Sequence, residues 1–173
     1  MTTTMTRSTM ISTFLKELEQ EAIITRKMLA CVPEDKYDWK PHEKSMSMER
    51  LASHIAELPG WVSMTFNTDE LDFEANGYEP KIIKNNAELM QYFESSLASA
   101  KASLESGNED DLAKTWVLRS GKTIHSTSTK GEVIRMSYNQ IVHHRAQLGV
   151  YLRLLNIPIP GSYGPSADTQ GFK

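Results

Sequence analysis

Apolar side chains recur at alternating steps of three and four residues in four segments of the chain, which is the spacing of one helix face. The predicted helices run from about Ser8 to Cys31, from Ser47 to Phe66, from Asn85 to Ser106 and from Thr129 to Leu155. Four helices that each carry one apolar stripe bury those stripes most economically against one another. The pattern therefore predicts an all-α fold, a four-helix up-and-down bundle.

The ends and interruptions of these helices are also marked in the sequence. Thr129 followed three residues later by Glu132 is a capping-box pattern, and the same pattern begins at Asn85. Pro59 and Gly60 lie inside the second predicted helix. Because proline lacks a backbone N–H donor, we expect a kink or an irregular turn there.

Three kinds of connection are predicted outside the helices. Residues 115–127, between the third and fourth helices, have the Thr, Trp, Val and Ile content of a small β-hairpin. Residues 69–80 are predicted to form an acidic loop. The ends of the chain, 1–9 and 161–173, are predicted to be flexible tails of a single domain that spans residues 1–173.

Composition narrows the class of protein. The chain has 173 residues, and 19 Lys and Arg against 22 Asp and Glu leave a formal charge of −3, which argues against a nucleic-acid partner. Its single cysteine, Cys31, cannot form an internal disulfide, so a cytoplasmic location is expected. No apolar run reaches the ~18–20 residues of a membrane span, and the Thr-rich start does not resemble a signal peptide.

Two histidines are predicted to flank apolar stripes. At 100° per residue, His144 lies about 60° from the centre of the stripe of the fourth helix, whereas His143 lies about 100° further round, towards solvent. His54 lies about 80° from the stripe of the second helix, and Trp61 follows it seven residues later on nearly the same line. The two flank histidines can meet only if their helices are neighbours, which spacing alone does not decide.

The chain resembles the DinB-like (DinB/YfiT) four-helix bundle family in two motifs. The first, WKPHEKSMS at residues 39–47, continues with LASHIAE at 51–57 and with Trp61. The second, HHRAQL at 143–148, continues with YLR at 151–153. The resemblance implies a bundle with a hairpin between the last two helices, assembled as a homodimer.

The resemblance also implies a divalent metal cofactor, nickel or zinc, bound by three histidines. His54 matches the ligand on the second helix and His144 matches the last ligand, but Gln140 stands where the family has its third histidine. Three alternatives follow: Gln140 binds through its amide oxygen or a bridging water, Glu57 completes a set of two histidines and one carboxylate, or the site is empty.

Further residues are candidates for a substrate pocket beside the histidines. Trp61 and Tyr138 are aromatic side chains that could line it. Arg145 lies about 40° from the stripe centre, where an unpaired guanidinium is costly. It is expected either to form an ion pair with Glu57 or Glu43, or to orient the carboxylate of a substrate.

Two functions are therefore considered. The first is a metal-dependent enzyme, a thiol-dependent S-transferase or a hydrolase, whose metal activates a thiol or water for reaction with a small molecule. The second is a non-catalytic small-molecule-binding or stress-response bundle with a degenerate metal site, which Gln140 favours.

Overall fold

The protein is mostly helical with a small β-sheet, and the computed structural model describes residues 9–77 and 79–170. Within these residues the helices are α1 (Met10–Leu29), α2 (Met48–Glu57), α3 (Gly60–Asn67), α4 (Phe73–Asn76), α5 (Asn86–Ser106) and α6 (Lys130–Leu154). The strands are β1 (Glu70–Asp72), β2 (Thr115–Ser120) and β3 (Thr123–Thr129). Short 3₁₀ helices cover Glu34–Lys36 and Glu109–Ala113. Of the predicted N-terminal tail, residues 1–8 lie outside the described residues.

The second predicted helix is two helices, as the Pro59-Gly60 interruption indicates. α2 ends at Glu57, and Pro59 precedes α3 with helical backbone angles. Because Pro59 has no N–H to donate, the chain tightens: the N–H of Trp61 bonds to the carbonyl of Leu58 at 3.1 Å. The predicted irregular turn is confirmed, and it separates α3 from α2.

The long helices hold the core together. α1 contacts both α5 and α6, and so does the α2–α3 pair. One contiguous apolar cluster fills the space between them, and its largest fully buried side chains include Phe93, Leu18, Leu51 and Ile134. None of the described helices combines the length and the low polarity that crossing a bilayer requires.

The sheet has three strands in the order β1-β2-β3, one more than the predicted hairpin. β2 and β3 pair antiparallel, and β1 pairs parallel to β2. β1 lies in the segment that was predicted to be an acidic loop. Its three residues are too few to show the alternating pattern of a strand, so the sequence did not predict it. Arg119 on β2 explains why acidic residues pair there, since it forms ion pairs with Glu70 (2.6 Å) and Asp72.

The C-terminal segment, defined here as residues 159–170, makes contacts with α6, and residues 171–173 of the predicted flexible tail lie outside the described residues. Asp168 forms an ion pair with Arg153 of α6 and accepts the backbone N–H of Ile159 at 3.0 Å. The hydroxyl of Tyr163 contacts the guanidinium of Arg145 at 2.9 Å. The segment is polar and aperiodic, so sequence gives no sign of these contacts with residues of α6.

Candidate functional site

The structure brings His54 of α2 and His144 of α6 into direct contact. Their ring centroids lie 4.6 Å apart, with the ring planes at 73°. α2 packs against α6 and so brings the two rings together. Residue spacing alone could not show that these two helices are neighbours. The ring of His143, an exposed residue, lies 4.8 Å from that of His144.

Glu57 fixes the ring of His54. It lies three residues further along α2, and its Oε1 is 2.5 Å from Nδ1 of His54. A carboxylate oxygen accepts, so Nδ1 carries the proton and the lone pair of the neutral ring is at Nε2. The guanidinium of Arg50 lies 3.7 Å from the same carboxylate oxygen and balances its charge. The side chains of His54 and Glu57 are only 18% and 9% exposed, which strengthens these interactions.

Glu57 also connects the histidine pair to α5. The hydroxyl of Tyr92 forms a hydrogen bond with the Glu57 carboxylate. Burial raises the pKa of Tyr92, and the negative charge of Glu57 raises it further, so the hydroxyl stays a donor at neutral pH. Glu57 is thus shared by His54, Arg50 and Tyr92.

Gln147 plays the corresponding part for His144. Its Oε1 lies 2.8 Å from Nδ1 of His144. Because an amide oxygen only accepts, Nδ1 carries the proton and Nε2 presents a lone pair. Burial lowers the pKa of His144, and the charges of His54, His143 and Arg50 lower it further, while Gln147 opposes this. A neutral imidazole is the form that binds a metal ion.

The pair therefore offers two imidazole nitrogens that suit nickel or zinc, each ring held through its other nitrogen. Two side chains are candidates for the third donor. Gln140 is half-buried on α6, one turn before His144, and Glu57 is engaged as described above. Among residues 9–77 and 79–170, no group of three or more His, Cys, Asp or Glu side chains is arranged to hold a metal ion. Two of the proposed donors, His54 and His144, therefore suit a nickel or zinc ion.

The three predicted pocket residues lie in three different environments. Trp61 lines a cleft between α3 and α5, together with Glu57. Tyr138 is a core residue: it is 1% exposed, and its hydroxyl donates to the backbone carbonyl of Phe14 at 3.0 Å. Arg145 is buried beside the C-terminal segment.

Arg145 forms a buried ion pair, but with a different partner from those expected. Its guanidinium lies 2.6 Å from Glu21 of α1, where the sequence predicted Glu57 or Glu43. It also donates to Thr25 Oγ1 at 2.9 Å. α1 and α6 are far apart in sequence, so no spacing rule could identify Glu21. These contacts account for the charge structurally.

Sequence reasoning named Glu57 beside His54 but missed Arg50, the partner of Glu57, and Gln147, the partner of His144. Arg50 lies seven residues before Glu57 on α2, and Gln147 lies three residues after His144, so helical spacing could have identified both. Tyr92 comes from α5, and only the packing of α2 against α5 brings it to Glu57.

A family model and a solved structure both relate the chain to the same family. The model of the DinB family matches residues 1–170. The uncharacterized protein YrdA of Bacillus subtilis (strain 168) is 26% identical over 157 residues, which is 90% of this chain and 89% of YrdA. The crystal structure of a DinB-like protein, YjoA, from Bacillus subtilis superposes with a TM-score of 0.66 at 20% identity, over 92% of this chain and 99% of YjoA.

A thiol-dependent enzyme has a related fold. The crystal structure of a mycothiol-dependent maleylpyruvate isomerase superposes with a TM-score of 0.56 at 14% identity, over 82% of this chain and 63% of the isomerase. At this identity the similarity concerns the fold.

Proposed function

The chain belongs to the DinB family, and we propose that it is a metal-dependent enzyme acting on a small molecule, with His54 and His144 as ligands of nickel or zinc. The finer proposal is a thiol-dependent S-transferase or a hydrolase. The observation that carries it is the contact between the two imidazoles, 4.6 Å between centroids, with each Nδ1 already engaged.

The outer partners of the two rings support this proposal. Metal-binding histidines usually donate their second nitrogen to a carboxylate or another acceptor, which fixes the tautomer and orients the ring. Glu57 does this for His54 and Gln147 for His144. The guanidinium of Arg50 lies 3.7 Å from the Glu57 oxygen that contacts Nδ1, which places a positive charge beside this carboxylate.

The chemistry requires coordination positions that the protein leaves open. A divalent metal bound here would lower the pKa of a thiol or a water and make it a nucleophile at neutral pH. Gln140 is proposed as the third ligand, through its amide oxygen or a water, with Glu57 as the alternative. Glu57 is the weaker choice, because binding the metal would take its carboxylate from His54 and Arg50.

The thiol reaction is supported by the similarity to the mycothiol-dependent maleylpyruvate isomerase. A shared fold does not fix a reaction, so a hydrolase that activates water at the same position stays open. Both reactions use the two histidines in the same way.

Metal binding is tested on protein purified without a polyhistidine tag. We expect close to one equivalent of metal by elemental analysis, or stoichiometric uptake of added nickel or zinc. His54→Ala and His144→Ala should each weaken binding at least tenfold, whereas His143→Ala, which removes an exposed neighbouring imidazole, should not. Absence of metal together with no uptake of either ion would reject the proposal.

Activity is tested with the metal-loaded protein and a generic electrophile, with glutathione, a mycothiol-type thiol or a bacillithiol-type thiol. We expect turnover with one thiol that depends on the metal and is lost in His144→Ala. If no thiol supports a metal-dependent rate, the transferase proposal fails, and ester or amide substrates test the hydrolase.

A second candidate function is a non-catalytic small-molecule-binding or stress-response bundle. It is favoured by Gln140 and by the absence of a three-residue metal group among the described side chains. Gln140→His distinguishes the two. A gain of metal occupancy and activity favours a degenerate site, and unchanged behaviour favours a site that uses two histidines or none.

Other features stay predictions. We propose that α1, the α2–α3 pair, α5 and α6 form the four rods of an up-and-down bundle, and that the protein is a cytoplasmic homodimer. The mass of the particle in solution, measured by light scattering, tests the dimer.

A further inference from the structure

A cleft of about 410 Å³ lies between α3 and α5, beside the histidine pair. Trp61 and Tyr92 contribute two aromatic side chains to it, and Glu57, the partner of His54, lines it as well. The rest of the lining is polar, with four serines on the two helices. Its volume lies within the range of small-molecule sites.

Three of these serines already donate their hydroxyl protons in hydrogen bonds within the protein. Ser63 donates to the carbonyl of Gly60 at 3.2 Å, Ser95 donates to the carbonyl of Tyr92 at 2.9 Å, and Ser99 donates to the hydroxyl of Ser63 at 2.8 Å. A hydroxyl that has used its proton still has lone pairs. This wall of the cleft therefore accepts hydrogen bonds.

Ser96 is the exception. The residue is 8% exposed and lines the cleft, and no hydrogen bond within residues 9–77 and 79–170 uses its hydroxyl. Gly60 lies opposite, and a Cβ added there would make an ordinary contact with Ser96 Oγ at 3.9 Å, so the missing side chain leaves room beside the hydroxyl. The proton of Ser96 is not committed to another protein group, so it can donate to a ligand that supplies an acceptor.

The charge of the cleft is balanced. The carboxylate of Glu57 lies 3.7 Å from the guanidinium of Arg50, which offsets its negative charge. A cationic ligand therefore gains little here. The cleft instead offers several acceptors, one donor and two aromatic rings, which suits a neutral ligand with hydroxyl groups on a ring that has apolar C–H faces.

We propose that this cleft binds a pyranose-type polyol ring, with its C–H face on Trp61 and its hydroxyl groups on the serines. Donation to Ser99 and acceptance from Ser96 use both kinds of group that the wall presents. Binding of the ring does not require the metal. Only its role as part of the enzyme's substrate rests on the proposed function.

The test is a titration of metal-free full-length protein with methyl α-D-glucopyranoside, followed by ¹H–¹⁵N spectra. The chain has three tryptophans, so three indole N–H signals are expected, and Trp61→Phe identifies that of Trp61. We expect the Trp61 signal to shift saturably. Ser96→Ala and Ser99→Ala should each raise the Kd about fivefold, the usual effect of one lost hydrogen bond.

Ser106→Ala is the matched control, since Ser106 lies on α5 outside the cleft and donates to the carbonyl of Ala102. It should leave the Kd unchanged. No saturable shift of Trp61, or an unchanged Kd in both Ser96→Ala and Ser99→Ala, would overturn the proposal. A larger and tighter response to butylammonium would overturn the polyol class.

A double variant separates this inference from the proposed function. His54→Ala/His144→Ala removes the proposed metal ligands and should keep polyol binding within twofold. Metal binding without polyol binding in the wild type rejects only the cleft proposal. Polyol binding without metal binding rejects only the proposed enzyme.

Discussion

Each imidazole of the candidate site takes its orientation from a residue three positions along its own helix. Glu57 holds Nδ1 of His54, and Gln147 holds Nδ1 of His144. The two partners differ in charge, so the two rings differ in character. Glu57 places a carboxylate beside His54, whereas His144 has a neutral partner, and burial lowers the pKa of His144.

The lowered pKa of His144 makes the stability of the metal-free protein depend on pH. Burial lowers this pKa in the folded state below its ordinary value of 6.5, and the charges of His54, His143 and Arg50 act in the same direction. Below pH 6.5, His144 therefore binds a proton more readily in the unfolded chain than in the folded protein. The contribution of His144 to stability should be constant well above pH 6.5 and should fall as the pH drops below that value.

This pH dependence can be measured by urea unfolding at pH 7.5, 6.5 and 5.5 in the presence of a chelator. His144→Gln removes the titrating group, so its loss of stability between pH 7.5 and pH 5.5 should be smaller than that of the wild type. Equal losses in the two proteins would contradict the assignment to His144.

The ion pair of Arg145 with Glu21 is nearly buried, with side-chain exposures of 3% and 11%. Arg145→Leu leaves the carboxylate of Glu21 without its cationic partner, and we expect a loss of about 3 to 5 kcal/mol in the free energy of unfolding. Glu21→Leu/Arg145→Leu removes both charges and should recover most of that loss. A double variant no more stable than Arg145→Leu would show that the pair itself is strongly favourable.

The N-terminal ends of α5 and α6 show how well a capping-box pattern in the sequence predicts the hydrogen bonds that form. At α6 the predicted capping box forms in full: Thr129 accepts the N–H of Glu132 at 3.3 Å, and Glu132 accepts the N–H of Thr129 at 2.7 Å. At α5 only half of it forms. Asn85 accepts the N–H of Glu88, but the Glu88 carboxylate accepts the N–H of Lys84 instead.

Thr129→Ala should therefore lower the free energy of unfolding by about 1 kcal/mol, the usual cost of a lost N-cap. Chemical denaturation measures this directly. Asn139→Ala, at an exposed position inside α6, is the matched control and should be neutral or slightly stabilising. Equal effects of the two changes would show that the cap contributes nothing beyond helix propensity.

The C-terminal segment ties distant parts of the molecule together. Tyr163 contacts both Arg145 of α6 and Glu21 of α1 through its hydroxyl, at 2.9 and 2.8 Å. A cavity of about 480 Å³ lies between the segment and α6, and its lining is largely apolar, including Met28 and Val150. The segment therefore covers apolar surface and partners a buried ion pair.

Deletion of residues 161–173 should expose this surface. We expect faster amide hydrogen exchange in the second half of α6 and stronger binding of a hydrophobic dye, because Arg145 loses a partner and the cavity loses one wall. Exchange in α2 is the internal control and should change little. Unaltered exchange in α6 would show that the segment does not stabilise the helix.

The sequence by itself determined the features that depend on neighbours along the chain. Helical periodicity, the interruption at Pro59 and the capping box at Thr129 each involve residues within one or two helical turns, so spacing and chemistry suffice to predict them. The same is true of the flank positions of His54 and His144, and the family motifs around them named the fold.

Tertiary structure decided what depends on which elements meet. The contact of His54 with His144, the ion pair of Arg145 with Glu21 and the bond of Tyr92 to Glu57 all join residues far apart in sequence. The same holds for strand β1 and for the C-terminal segment, because both are short or aperiodic and both form ion pairs with residues of other elements. Local spacing carries no information on such pairings, because they follow from the packing of whole helices.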